Sequence, residues 1–248
     1  MKSFRNELED LENPVVERDI VELADKIQLF NEGKIDEEKF RSLRLARGVY
    51  GQRQAGVQMI RIKLPYGKMT AQQLLRIADV ADEYSTGNLH TTTRQDIQIH
   101  YVSLDRTPQL WADLEKDEIT LREACGNTVR NVTASALAGI DPHEPFDVTP
   151  YADATFRYFL RHPVPQDMGR KFKIAFSSSD ADSALTFIHD LGFIPKLQND
   201  QRGFRVVLGG GLGSQPRVAD VVYEFLPADE IIPFTEAVLR VFDRHGER

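Results

Sequence analysis

The sequence predicts an α+β protein, because stretches with helical periodicity alternate with stretches in which apolar and polar residues alternate. The clearest case is residues 57–103, where an alternating segment, a capped helical segment and a second extended segment follow one another. The same succession returns between residues 171 and 244. At about 100–200 residues per domain, the 248-residue chain is long enough for one large or two small domains.

Capping signals and apolar spacing predict the helices. Asn13 followed by Pro14 has the form of an N-cap with proline in the first turn, and apolar residues then recur at helical spacing until Gly33. Thr70 with Gln73 three residues later forms a capping box at the start of another helix. This helix is predicted to extend over residues 70–81. The other predicted helices are at residues 36–46, 108–116, 121–125, 150–161, 180–191 and 227–244.

Strands are predicted where the apolar period changes to two. In residues 57–64 the isoleucines fall on one face, and Pro65 and Gly67 stop the strand. Residues 88–103 read as one continuous extended segment. The second half of the chain gives predicted strands at residues 171–177, 192–197 and 203–209.

The composition excludes several classes of protein. The net charge of −7 and the pI of 5.4 give no overall positive field for nucleic acid, so a bound anion must meet a local basic cluster. One cysteine, Cys125, excludes an internal disulfide or an all-cysteine cluster site, and no metal ligands are predicted. Residues 1–13 lack the apolar run of a signal peptide, and no stretch has the ~20 apolar residues of a membrane span. We therefore expect a cytoplasmic protein with no membrane partner.

Three predicted strands have an apolar face and a face of basic or hydrogen-bonding residues. Arg61 and Lys63 oppose the isoleucines of strand 57–64, while Lys171 and Lys173 alternate with the phenylalanines of strand 171–177. If residues 90–101 stay extended, six polar side chains share one face: His90, Thr92, Arg94, Asp96, Gln98 and His100.

These polar faces favour an anion as ligand. Asp96 is the one acid among the basic residues of the three faces, and unpaired cations brought within 4 Å repel by about 4 kcal/mol at an effective dielectric near 20. Arginine can bind a carboxylate through two hydrogen bonds, and lysine supplies a point charge and a proton. The alternative is that each face is the ordinary solvent-exposed side of a half-buried antiparallel strand.

Two loops carry further candidates. Arg130 stands before Asn131 in the polar segment 125–132, which fits a binding site or a hydrogen-bonded turn equally well. A glycine run follows the strand at 203–209 but lacks the lysine and hydroxyl residue of a phosphate loop. Glycines allow a flat group to lie directly on the backbone, and the run contains Gly209, Gly210 and Gly211.

Six motifs, in this order and spacing, resemble the nitrite/sulfite reductase hemoprotein family from about residue 38 onward. They are RLARGVYGQRQ at 44–54, MIRIKLPYG at 59–67, TTTRQDIQIH at 91–100, ACGNTVRNV at 124–132, GRKFK at 169–173 and GGGLG at 209–213. The resemblance implies a ferredoxin-like half domain followed by a siroheme-binding α+β domain. It divides the chain into a helical N-terminal extension at 1–46, the half domain at 47–115 and the siroheme-binding domain at 116–248.

Family members reduce sulfite or nitrite by six electrons at a siroheme that a cysteine thiolate bridges to a [4Fe-4S] cluster. By position, the resemblance assigns substrate binding to Arg61, Arg130, Lys171 and Lys173. It assigns siroheme binding to His90, Thr92, Arg94, Gln98, His100 and Asn131, together with Gly209, Gly210 and Gly211. The eight carboxylates of siroheme agree with the polar row on 90–100. We expect the two lysines to donate protons, because arginine with a pKa above about 12 is a poor donor.

The family's cluster ligands follow a Cys-x5-Cys and Cys-x3-Cys pattern in the second half, and this chain has Cys125 alone. We therefore expect the chain to be the N-terminal part of a longer reductase, inactive alone, whose C-terminal half supplies the cluster ligands. A cluster-free tetrapyrrole- or anion-binding module is the alternative. The electron donor, a ferredoxin or a reductase flavoprotein, is not specified. Sulfite is favoured over nitrite, because Lys173 adds a fourth cation where nitrite-reducing members can carry Asn.

Overall fold

The structure, a computed structural model, describes residues 8, 11 and 13–246. The chain forms two compact units: the first comprises residues 1–64 and 68–126, and the second comprises residues 65–67 and 127–248. Residues 1–13, on which the expectation about a signal peptide rests, lie mostly outside the described residues. The predicted domain limits at 46 and 115 stay a prediction.

In the described part of the first unit, four α-helices accompany a four-stranded antiparallel sheet of order β1–β2–β4–β3. The elements are α1 (Pro14–Asn31), α2 (Glu37–Leu45), β1 (Val49–Gly51), β2 (Val57–Ile62), α3 (Ala71–Tyr84), β3 (Leu89–Thr91), β4 (Ile97–Ser103) and α4 (Thr107–Glu115). One face of the sheet and the helices share a core that includes Ile60, Ile62, Ile99 and Trp111, all fully buried. The α1 and α2 helices contribute Ile20, Leu23 and Phe40 to the same core.

Two predicted helix starts in this unit, at Asn13 and at Thr70, are confirmed. The Asn13 side chain accepts from the Val15 N–H at 3.0 Å, with Pro14 in the first turn. Thr70 and Gln73 form the expected reciprocal capping box, with distances of 3.1 and 2.9 Å. These side chains satisfy backbone N–H groups that have no partner inside the helix.

The prediction of one extended segment over 88–103 is wrong. β3 and β4 form an antiparallel hairpin in which His90 lies opposite Gln98. The Thr92 hydroxyl accepts from the N–H groups of Arg94 and Asp96, both at 3.2 Å, and closes the intervening turn. A hydroxyl that accepts from the backbone N–H groups two and four residues later can reverse the chain. The alternation of residue types in the sequence does not reveal such a turn. The six polar residues therefore do not share one strand face, and Asp96 is buried.

The described part of the second unit contains a five-stranded mixed sheet of order β5–β6–β7–β8–β9. β5, β6 and β7 run parallel, while β8 and β9 pair antiparallel to their neighbours. The elements are β5 (Thr133–Ala134), α5 (Thr149–Phe159), β6 (Ile174–Phe176), β7 (Leu191–Gln198), β8 (Gln201–Leu208), β9 (Asp220–Pro227) and α6 (Ile231–His245). Phenylalanines dominate the core of this unit. Among the described residues, no helix is both long and apolar enough to cross a membrane.

Two short predicted helices are wrong, those at 121–125 and 180–191. Glu123 and Leu185 adopt left-handed conformations, with φ of 59° and 56°, which interrupt a right-handed helix. One 3-10 turn, Thr186–Ile188, replaces the second of these helices. The predicted strand 171–177 is shortened to β6, preceded by an isolated bridge at Phe172. β9 was not predicted, because most of its side chains are exposed on both faces and give no alternation.

Gly48→Ala is expected to lower the free energy of unfolding by about 3 kcal/mol, against about 1 kcal/mol for Gly33→Ala. Both glycines have positive φ, 71° and 69°. A Cβ on Gly48 would lie 2.7 Å from the Leu121 carbonyl oxygen, whereas nothing lies within 4 Å of the corresponding position at Gly33. Urea unfolding followed by circular dichroism measures the difference, and equal losses would show that the close approach at Gly48 is unimportant.

Candidate functional site

Four polar side chains lie together on the face of the first sheet that is turned away from its isoleucine core. Arg61 on β2 lies opposite Gln98 on β4, which lies opposite His90 on β3. His100 follows on β4, and its ring stacks on that of His90 with centroids 5.8 Å apart. We call Arg61, His90, Gln98 and His100 the front-face cluster. It contains four of the predicted site residues.

Gln98 is the hydrogen-bonding centre of this cluster. With its amide oriented to satisfy both neighbours, the Gln98 oxygen accepts from Arg61 Nη2 at 2.6 Å and from Nε at 3.1 Å. The Gln98 nitrogen then donates to His90 Nδ1 at 3.1 Å. Gln98 is buried, whereas Arg61 and His100 are half-buried and His90 is exposed. The cluster therefore presents a fixed guanidinium and two imidazoles on an accessible sheet face.

The two histidines differ in their electrostatic setting. Burial, and to a lesser degree the neighbouring His90, lowers the pKa of His100 below its usual value. His100 therefore remains neutral to lower pH than a solvated histidine. Arg61 keeps its charge at every physiological pH, so the permanent positive charge of the cluster resides on Arg61.

Thr92 and Arg94 lie in the turn between β3 and β4, at the end of the hairpin that carries His90 and Gln98. The Thr92 hydroxyl accepts two backbone N–H groups of that turn. Arg94 is half-buried. Their predicted contacts with a cofactor stay a prediction, and the structure adds a role for Thr92 in shaping the turn.

The expectation that Lys63 belongs to an exposed wall of cations is wrong. Its side chain is only 2% exposed, and Nζ lies 3.8 Å from Oε2 of Glu123, whose side chain is 0% exposed. Arg122 also approaches Glu123, at 3.6 Å. The backbone N–H of Lys63 donates to the Thr120 carbonyl, and this bond holds Lys63 beside the segment 120–123. The alternation at 57–64 did not reveal that the polar face becomes buried at its end.

In the second unit, three predicted site cations lie on two adjoining chain segments. Val129 and Phe172 form a parallel bridge, with Arg130 N–H donating to the Phe172 carbonyl at 2.9 Å. Val129 and Phe172 are buried, so the residues that alternate with them point to the other side. Those residues include Arg130, Lys171 and Lys173. By this alternation, the three cations are expected on the same side of the bridge.

Asp190 connects two of the segments in this region by hydrogen bonds, a role that the sequence did not indicate. Its carboxylate accepts from the Lys173 N–H at 2.8 Å, and its carbonyl accepts from the Gly209 N–H at 2.9 Å. Lys173 precedes β6, Asp190 precedes β7 and Gly209 follows the antiparallel β8. The cations and the glycine run consequently lie at the same end of the second sheet. The sequence held no local signal for this role, because the two hydrogen bonds join Asp190 to residues 17 and 19 positions away.

The three glycines have different structural roles. Gly209 has φ of 88°, and Gly210 is packed so that a Cβ would lie 2.4 Å from the Phe187 carbonyl oxygen. Nothing lies within 4 Å of the Cβ positions of Gly209 and Gly211. Two of the three therefore leave the backbone open to a flat ligand. Asn131, also predicted to bind the cofactor, is fully buried.

Among residues 8, 11 and 13–246, no group of three or more His, Cys, Asp and Glu side chains could hold a metal ion. Cys125 is buried and forms no disulfide.

Comparison with known sequences identifies two family domains. The sequence model of the "Nitrite/Sulfite reductase ferredoxin-like half domain" matches residues 50–117, and that of the "Nitrite and sulphite reductase 4Fe-4S domain" matches residues 125–248. The assimilatory ferredoxin-dependent nitrite reductase of Haloferax mediterranei is 33% identical over 81% of this chain and 37% of its own length. Sulfite reductase (ferredoxin) 1 of Mycolicibacterium paratuberculosis is 28% identical over 77% of this chain and 34% of its own length.

Solved structures agree with the fold. The Mycobacterium tuberculosis NirA protein matches with a TM-score of 0.79 and 26% identity, over 87% of this chain and 42% of its own. The chain thus spans roughly a third to two fifths of the length of these relatives. One family domain falls mainly in the first unit, from residue 50 onward, and the other mainly in the second unit. The chain therefore belongs to the nitrite/sulfite reductase family.

Proposed function

We propose that this chain supplies substrate-binding and siroheme-binding residues to an enzyme that reduces sulfite or nitrite. The observation that carries the proposal is the backbone pairing of the segment that carries Arg130 with the segment that carries Lys171 and Lys173, in a chain of this family. An oxyanion is the ligand that such a grouping of cations favours. In the first unit, Arg61 is the cation proposed to bind substrate.

Siroheme fits the front-face cluster. The guanidinium of Arg61 and the imidazoles of His90 and His100 can donate to carboxylates, and such bonds to an ionised acceptor are the stronger kind. The open backbone at Gly209 and Gly211 suits a flat ring. We propose Thr92, Arg94, Gln98, Asn131 and Gly210 as further contacts or supports. When bound, siroheme supplies the iron at which the oxyanion is reduced.

The proposed roles of the cations follow from their chemistry. Each oxygen that leaves sulfite or nitrite as water takes two protons. Lys171 and Lys173 can donate protons from their ammonium groups, whereas Arg61 and Arg130 hold the oxyanion by charge. Lys171 is exposed and Lys173 is half-buried, so lost protons can be replaced from solvent.

A [4Fe-4S] cluster does not fit this chain's own residues. Such a cluster takes four thiolates, and the chain has one cysteine, which is buried. We propose that the cluster's ligands lie outside these 248 residues. The names of several relatives specify ferredoxin, and we propose a ferredoxin as the electron donor.

The single cysteine also favours the second candidate function, a cluster-free module that binds a tetrapyrrole or an anion. The two functions differ in electron paramagnetic resonance. If the chain is part of a reductase, the complete enzyme that contains it should show a stoichiometric signal from a reduced [4Fe-4S] cluster, and it should reduce its substrate by six electrons. Siroheme binding with neither signal nor turnover would favour the module.

Replacing Lys173 with asparagine in the siroheme-loaded enzyme tests the choice of substrate. We expect kcat/KM for sulfite to fall about tenfold further than that for nitrite, because sulfite carries up to two charges and nitrite one. Assays with a reduced viologen dye supply electrons equally for both substrates. Lys39→Asn, which removes an exposed cation on α2, is the matched control and should change neither value. Equal losses on both substrates would contradict a role for Lys173 in reading charge.

A further inference from the structure

The front-face cluster contains a chain of hydrogen bonds that crosses three strands. Arg61 on β2, Gln98 on β4 and His90 on β3 are in register, and the Gln98 carboxamide bridges the other two at 2.6 to 3.1 Å. Only 7% of Gln98 is exposed. The orientation of its amide is therefore determined by its two neighbours more than by water.

The two neighbours make different demands on the amide. Arginine has donors only, at every physiological pH, so the Gln98 oxygen must face Arg61. The Gln98 NH2 group then faces His90 Nδ1, which must be an unprotonated acceptor. A proton on Nδ1 would bring two donors together. If Nδ1 carried a proton, turning the amide over would give that N–H the Gln98 oxygen as an acceptor. The turned amide would, however, place its NH2 group against the Arg61 guanidinium.

We propose that Gln98 couples the protonation of His90 to the orientation of Arg61. With neutral His90, the amide oxygen holds Arg61 through Nη2 and Nε. When Nδ1 gains a proton, the amide turns and releases Arg61 from the sheet. Gln98 and His90 are thus positioning residues for Arg61. The inference rests on the proposed function only in giving the released Arg61 a consequence for substrate binding.

Charged and titratable groups face His90 from the two neighbouring strands, β4 and β2. On β4, the His100 ring stacks on His90 at an interplanar angle of 23°. On β2, Arg61 stands beyond Gln98. Both would repel a proton on His90 when they are charged. His100 can also titrate, so the experiment must separate the two imidazoles.

Nuclear magnetic resonance of the isotopically labelled 248-residue chain tests the coupling without turnover. The Arg61 Nε–H signal, assigned by its loss in Arg61→Lys, should change with pH and have the same midpoint as the signals of the His90 ring. In His90→Phe the signal should become independent of pH. In Gln98→Glu it should stay constant while His90 still titrates, because a carboxylate accepts from both neighbours.

An Arg61 signal that does not follow the His90 ring in the unmodified chain would overturn the proposal. So would the same pH dependence in His90→Phe, since that would assign the effect to His100. In the siroheme-loaded enzyme, KM for the oxyanion should vary with pH about tenfold more than in Gln98→Glu. Spectral coupling with identical KM profiles would support the relay and contradict the proposed role of Arg61 in substrate binding, which distinguishes the two failures.

Discussion

Lys63→Met is expected to lower the free energy of unfolding of the chain by about 3–5 kcal/mol. The substitution keeps most of the side-chain volume but removes the ammonium group 3.8 Å from the buried Glu123 carboxylate. Arg122, at 3.6 Å, still offsets part of the remaining charge. Taking away one partner of a buried pair leaves a charge in a medium that solvates it poorly. Urea unfolding monitored by circular dichroism gives the value.

Two variants make the Lys63 prediction specific. Lys39→Met removes a lysine whose side chain is 80% exposed and should change the free energy of unfolding by less than about 0.5 kcal/mol. The double variant Lys63→Met/Glu123→Leu should recover most of the loss, since it removes both charges. A Lys63→Met effect as small as that of Lys39→Met would show that the pair is not a buried electrostatic contact.

Arg61→Ala is expected to lower kcat/KM of the siroheme-loaded enzyme by about 10²–10³-fold, measured per bound siroheme. In the proposed function, Arg61 offers a permanent positive charge to the oxyanion. Gln98 holds the guanidinium through two hydrogen bonds, so the charge is fixed before the substrate arrives.

The control for this prediction is Arg53→Ala, which removes an exposed arginine from the loop between β1 and β2. Its kcat/KM should stay within about twofold of the unmodified enzyme. If Arg61→Ala were equally mild, Arg61 would be a scaffold residue of the front-face cluster and the substrate cations would have to be sought among the remaining three.

Local signals in the sequence predicted the helix ends that depend on one side chain. The caps at Asn13 and at Thr70 with Gln73 formed as expected, because each is complete within four residues. The same kind of local bonding also explains a failure. The Thr92 hydroxyl accepts from the backbone N–H groups of Arg94 and Asp96 and turns the chain, so the segment predicted to be continuously extended is a hairpin.

Burial was harder to predict than local conformation. Arg61 and Lys63 are on the same side of an alternating pattern, yet one is half-buried and the other is almost fully enclosed by the segment that carries Glu123. That segment is sixty residues away in the sequence. It was predicted as a helix, whereas Glu123 has a left-handed conformation. Tertiary contacts of this kind cannot be read from periodicity.

Part of the candidate site could nevertheless be predicted from the sequence. The residue types of Arg130, Lys171 and Lys173 pointed to an anion, and the structure pairs the two segments that carry these residues. The role of Asp190 was not accessible, because its two hydrogen bonds join segments that precede and follow it by many residues.

Siroheme content of the purified enzyme tests most directly whether the front-face cluster binds the cofactor. His100 and Ile97 are both on β4, but Ile97 is buried in the core of the first unit, whereas His100 is half-buried in the front-face cluster. We expect His100→Ala to weaken siroheme retention about tenfold. Ile97→Val should keep full siroheme and lose about 1 kcal/mol of stability. Full siroheme in His100→Ala, or equal loss in both variants, would contradict the assignment of the front-face cluster to siroheme.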